Sequence, residues 1–124
     1  MPRPILDEAA IHPAVRVKVA DWQHGIVEEV QGAVRANDVV VVGMGINPFP
    51  AKACKALDAI GQPHKYLSYG SYTSLWRRRN ALKMWTGWPT FPMVFVKGTL
   101  VGGYDDLKKL IDSGELKAML ASKV

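Results

Sequence analysis

The sequence predicts a small α/β domain in which one mixed β-sheet carries helices on both faces. Three observations predict it. The run Val39-Val40-Val41-Val42 is apolar at every position, the pattern of a strand buried on both sides. A helical pattern and a second strand-like run, Lys65 to Tyr69, follow it. Two further runs, Met93 to Val96 and Thr99 to Val101, flank Lys97-Gly98, which reads as a tight hairpin. A strand–helix–strand unit followed by a hairpin combines parallel and antiparallel pairing in one sheet.

The elements follow in order. Residues 1 to 13 hold three prolines and little pattern, so they read as a loose arm. Val15, Val17 and Val19 alternate with Arg16 and Lys18, which is strand period over a very short stretch. From Trp22 the period changes: Trp22, Ile26, Val30 and Ala33 share one helical face, and a helix is expected from Asp21, as cap, to Ala36. The division expected is an arm over 1–20 and a domain over 21–124. A second helix should begin near Pro48 or Pro50, because proline suits a first turn. Cys54, Leu57 and Gly61 then form a stripe with Ala53 and Ile60 beside it, while Lys52, Lys55 and Asp58 face out. Gly61 is the expected C-terminal cap. Ser71 or Thr73 should start a helix running to Trp85. After the hairpin, Asp105-Asp106 open a helix bearing Leu107, Leu110 and Ile111, Gly114 interrupts it, and Glu115 to Ala121 finish the pattern.

Composition narrows the function classes. With 124 residues the chain can build one core but not two. Its apolar content of 48% and charged content of 22% are those of an ordinary globular protein, and a formal charge of +5 permits anionic partners without requiring them. One cysteine excludes an internal disulfide. No apolar run reaches membrane-spanning length, and the first residues lack the layout of a secretory signal, so a soluble cytoplasmic protein without membrane association is expected. His12, His24 and His64 are scattered, and no metal site is expected.

Three stretches carry the chemistry. Asn47-Pro48-Phe49-Pro50 ends a strand and opens a helix, Trp88-Pro89-Thr90-Phe91-Pro92 leads into the hairpin, and Gly102-Gly103-Tyr104-Asp105-Asp106 leads out of it. Glycines there allow close backbone approach, and a helix start attracts a carboxylate. Together with the run RNALKMWTGWPTFPMVFVKGTLVGGYDDL, Arg79 to Leu107, they resemble the glutaredoxins of the monothiol type across roughly residues 20 to 122. The shared pattern is Arg, Leu-Lys, Trp-Pro-Thr-x-Pro, Val-x-Gly and Gly-Gly-x-Asp, in that order.

The resemblance implies a thioredoxin-like fold with a small mixed four-stranded sheet, and a groove for glutathione. It implies a cis peptide before Pro92 and pairing of the Phe91 backbone with the cysteinyl part of glutathione. Tyr104 and Asp105 would hold the γ-glutamyl end and Arg79 the glycine carboxylate. Asn47, Phe49, Thr90 and Gly103 complete the implied groove. The centre departs from the family. Asn47-Pro48-Phe49-Pro50 stands where monothiol members carry Cys-Gly-Phe-Ser, so Asn47 and Pro50 hold the positions of the active-site pair. The usual upstream lysine also has no match in Val42-Gly43-Met44-Gly45-Ile46. An amide cannot become the thiolate that this chemistry needs, and it is a poor ligand for an iron–sulfur cluster. Cys54 lies about 10 Å along the helix from Asn47 and reads as a core residue. The expected capability is therefore non-covalent binding of glutathione or a cysteine-containing peptide. The alternatives are residual redox activity through Cys54, or an interaction module using the groove or the basic helix Arg77-Arg78-Arg79 to hold a partner protein. The tryptophans fit core and groove walls, and no nucleic-acid motif is present.

Overall fold

The computed structural model describes residues 3–22, 24–44, 48–69 and 76–121. A short 3₁₀ turn, Glu8–Ala10, precedes helices α1 (Pro13–Asp21) and α2 (His24–Ala36). Strand β1 (Val39–Gly43), helix α3 (Pro48–Ala59) and strand β2 (Lys65–Ser68) form the strand–helix–strand unit. Helix α4 (Trp76–Thr86), strands β3 (Met93–Val96) and β4 (Thr99–Gly102), and helices α5 (Tyr104–Ser113) and α6 (Glu115–Ala121) complete the order. The sheet runs β2-β1-β3-β4, with β1 parallel to β2 and antiparallel to β3, so four-residue strands form both edges.

Every residue of β1 is buried, as its unbroken apolar run requires. Successive side chains point to opposite faces. Val40 and Val42, with Met93 and Phe95 of β3, pack under α2 and α4 against Ile26, Val30 and Leu82. Val39 and Val41, with Val94 and Val96, pack under α3, α5 and α6 against Ala53, Leu57, Leu107 and Leu116. Helices therefore cover both faces, as expected.

Turn chemistry sets the boundaries. Lys97 and Gly98 both take positive φ, 50° and 82°, the hairpin geometry read from their identities. Gly61, at φ 69°, ends α3: its N–H donates to Asp58 O and the Gln62 N–H to Leu57 O, the paired bonds of a left-handed helix stop. Gly114, at φ 80°, separates α5 from α6.

Four expectations are corrected. The alternating valines at 15, 17 and 19 belong to α1, not to a strand. His12 Nδ1 accepts from the Ala14 N–H at 3.1 Å and Pro13 opens the helix, so a cap and a first-turn proline outweigh a two-residue period. The preceding segment is also not patternless, because Arg16 Nε lies 2.9 and 2.8 Å from the Glu8 and Ile11 carbonyls. Asp21 ends α1 and does not cap α2, which starts at His24, and Trp22 is half-exposed at the same helix end, outside the core that holds Ile26 and Val30. Ile60 likewise lies at the surface past the end of α3. The expected start of α4 at Ser71 or Thr73 and the position of Leu75 fall outside the described residues.

One close approach ties the sheet to the helix that follows it. A Cβ on Gly43 would stand 2.6 Å from Cβ and Cγ of Pro50, whose ring is buried in the first turn of α3. Gly43→Ala is expected to cost about 1–3 kcal/mol by overpacking against a rigid ring. Adding Pro50→Gly should recover part of that loss. Denaturant unfolding of the single and double variants checks this; equal losses in both would show that the two positions are not coupled.

Candidate functional site

Three segments meet at the end of the sheet where β1 finishes. The register Val42↔Met93 places the start of β3 beside the end of β1, so the loop entering β3 lies next to the approach to α3. The peptide bond Phe91–Pro92 is cis, as the resemblance implied. β4 then delivers Gly103 and the first turn of α5 to the same end. The result is a cleft of about 340 Å³. Phe49 of α3 forms one wall. Trp88, Thr90, Phe91 and Pro92 form another, and Gly103, Tyr104, Asp105 and Asp106 close it from the start of α5.

Each wall is fixed locally. The Trp88 N–H donates to the Thr86 hydroxyl at 3.1 Å, and that hydroxyl donates to Leu82 O at 2.8 Å, anchoring the loop to the end of α4. Phe91 is buried and belongs to the core under α2 and α4, so the cleft floor is continuous with the hydrophobic interior. The Phe49 and Tyr104 rings lie 6.1 Å apart, joining α3 to α5 across the opening. Asp106 accepts from the Gly103 N–H at 3.1 Å. That caps α5 with its own third residue and leaves the Tyr104 and Asp105 amides as first-turn donors.

The charges are few and ordered. Lys52 Nζ stands 4.9 Å above the Phe49 ring and Lys83 Nζ 5.7 Å above the Phe91 ring, so an ammonium attends each aromatic wall. Asp105 is exposed at the helix start. A cleft with helix-start amides and one accessible carboxylate suits a small zwitterion.

Phe49, Thr90, Phe91, Pro92, Gly103, Tyr104 and Asp105 thus line one cleft. Asn47 lies outside the described residues, as do the side chains of Arg77 and Arg78. Arg79 faces inward but does not line the cleft. It is 7% exposed and donates from Nη1 to the Tyr69 carbonyl at 3.0 Å. The Tyr69 N–H in turn donates to Gly43 O at 2.8 Å, so Arg79 braces the sheet end from which α3 departs. Trp88, read from the sequence only as one of the core or groove-wall tryptophans, and Asp106, read only as opening a helix, also line the cleft. Cys54 is half-buried against the core under α3, α5 and α6 and does not line the cleft. Burial, and then the charge of Asp58 one turn on, push its thiol above the ordinary range.

A second cleft of about 360 Å³ lies between α1, α2 and α4, lined by Val19, Trp22, Val27, Met84 and Trp85, with Gln31 at its edge. It lacks the converging polar groups of the first.

A strand–helix–strand unit joined through a cis-proline loop to an antiparallel hairpin, with a cleft at the parallel strands' carboxyl end, defines a thioredoxin-like protein. The chain belongs to the glutaredoxin family. It is 46% identical to a glutaredoxin-like protein of Dictyostelium discoideum over 98 residues, 79% of this chain and 80% of that one. It is 34% identical to a probable monothiol glutaredoxin 2 of Rickettsia prowazekii over 102 residues, covering 78% and 92% of the two chains. Among solved structures, the buckwheat glutaredoxin–glutathione complex superposes with a TM-score of 0.71 at 25% identity, over 81% of this chain and 91% of that one. No protein-family model matches the chain.

Two measurements check these placements. Arg79→Ala should lower stability by about 1.5–3 kcal/mol, the range for a hydrogen bond to a charged group, as read by denaturant unfolding. A change within error would mean that the guanidinium does not brace the sheet end. For Cys54, a raised pKa keeps the thiol protonated as pH climbs through the usual thiol range, so alkylation at neutral pH should be slow. Asp58→Asn should speed it at any fixed pH in that range, because removing the negative charge lowers the pKa. Alkylation as fast as that of a free thiol would show that the group is not shielded.

Proposed function

We propose that this chain is a glutaredoxin of monothiol lineage whose nucleophile has been replaced by Asn47, and which binds glutathione, or a cysteine-containing peptide, without forming a disulfide. The observation that supports this best is the cleft itself. Its cis-proline loop and the first turn of α5 converge on one volume with Phe49 of α3, two residues along the chain from Asn47. A solved neighbour is a glutaredoxin–glutathione complex, which bears on the ligand class.

Glutathione carries a carboxylate at each end and an ammonium at one. In this reading the Phe91 backbone pairs with the cysteinyl unit, and the Tyr104 and Asp105 amides receive the γ-glutamyl carboxylate. The Asp105 side chain takes the ammonium. Thr90 and Phe49 bound the middle, and Lys83 or Lys52 meets the remaining carboxylate. Arg79 serves the site by holding the sheet end. Thiol–disulfide exchange needs a thiolate attacking sulfur, and neither an asparagine amide nor the buried proline at position 50 supplies one. An iron–sulfur cluster would lack its thiolate ligand on the same ground. The rival route through Cys54 is disfavoured by its place in the core and its raised pKa. Residues 21–124 constitute the glutaredoxin-like domain in this proposal and residues 1–20 an appendage. No helix among the described residues is long and apolar enough to cross a membrane, and a cytoplasmic setting accords with a fold that needs no disulfide.

Without a covalent anchor the complex should be weak. Each charge-assisted contact contributes roughly 1.5–3 kcal/mol before the cost of immobilising the ligand, which leads to a Kd of about 1 mM. Titration with reduced glutathione, followed by amide chemical shifts, should move Phe91, Tyr104 and Asp105, and Asp105→Ala should weaken binding several-fold. Reduction of a small mixed-disulfide substrate should be negligible and should appear in part on Asn47→Cys. Shifts that stay put at high millimolar glutathione would end the binding reading. Activity of the natural chain that Cys54→Ser abolishes would establish the redox alternative instead.

A further inference from the structure

One donor at the cleft is left unused. The indole Nε1 of Trp88 is fully enclosed and has no hydrogen-bond partner among the described residues, although the Trp88 side chain lines the cleft. Enclosing an N–H without an acceptor is unfavourable, and native proteins rarely tolerate it without a role. The position of this one is informative. A methyl group on Gly103 would stand 3.8 Å from Nε1 and 3.6 Å from the Pro92 carbonyl, both ordinary contact distances. Gly103 therefore packs its bare backbone against the indole edge and the Pro92 carbonyl at the start of α5. The Gly103 N–H is already taken by Asp106, so the helix start has one amide fewer for a ligand, while the indole N–H lies immediately beside it.

We propose that Trp88 Nε1 is a ligand donor: it donates to the α-carboxylate of a γ-glutamyl group seated on the first turn of α5. Rotation of the half-buried ring turns the enclosed donor toward a carboxylate oxygen seated on the first turn of α5. Trp88 then contributes selectivity as well as a wall, because a ligand without that carboxylate leaves the indole N–H as unpaired as the empty cleft does. The proposal rests on the groove reading above and adds to it the residue that discriminates one end of the ligand.

Indole N–H resonances can be read apart from the backbone amides, and Trp88→Phe assigns the relevant one among four tryptophans. Titration of the natural chain with glutathione or γ-glutamylcysteine should move the Trp88 indole proton downfield together with the Tyr104 and Asp105 amides. Cysteinylglycine, which lacks the γ-glutamyl group, should leave the indole where it was. Trp88→Phe should weaken γ-glutamylcysteine binding about 3–10-fold more than it weakens cysteinylglycine binding, the scale of one hydrogen bond. Gly103→Ala should produce a similar loss, because its methyl lies against the indole edge and hinders that rotation. Its φ of −100° suits any residue, and the added methyl meets no hard contact, so the fold should persist. If the Tyr104 and Asp105 amides respond to glutathione while the indole proton does not, Trp88 is only a wall and this inference is wrong, with the groove reading intact. If neither responds, both are wrong.

Discussion

The pairing of β1 with β3 is the constraint on which the site depends. Val42 faces Met93 across an antiparallel ladder, and this register brings the loop that carries Phe91 and Pro92 level with the exit from β1. Side chains alternate between faces with a period of two, so a slip of one residue would send Met93 and Phe95 into the opposite core and remove Phe91 from the cleft floor. Both faces of β1 are filled, which makes that slip costly in either direction. The cleft is therefore located by hydrophobic packing well before any polar group contributes.

Polar contacts then refine what packing positions. Arg79 grips the Tyr69 carbonyl, Tyr69 grips Gly43, and the Tyr69 hydroxyl reaches Glu29 of α2 at 2.9 Å. These bonds join β2, β1, α4 and α2 at the sheet end where α3 departs. On the other side, the Gly43–Pro50 approach sets how closely α3 can begin, and with it the stance of Phe49. The Pro50 ring is buried in the first turn of α3 and is itself part of this packing.

How much was legible in the sequence follows from where the determining forces lie. The hairpin, the Gly61 stop and the start of α5 depend on φ preferences and capping within a few residues, and all were readable. The two-faced burial of β1 was readable because no polar residue interrupts it. The helix α1 was not, since its three valines alternate and none is buried. Its helicity comes from the His12 cap and Pro13, without an apolar face to announce it. The inward direction of Arg79 could be inferred from its neighbours on the helix, but not its partner, a backbone carbonyl ten residues earlier. Trp88 reads as a bulky wall residue in any sequence. That its N–H is stranded becomes visible only when the surrounding atoms are in place.

The short outer strands carry a consequence for behaviour at high concentration. A free strand edge is a template on which a neighbouring molecule can add its own strand, the first step toward open-ended assembly. Here both edges are four residues long, which limits the ladder a newcomer could form. The β2 edge also begins with Lys65, so two copies approaching edge to edge bring like charges together, on a chain whose net charge is already +5. The shortness of the two edges thus works against polymerisation through the sheet.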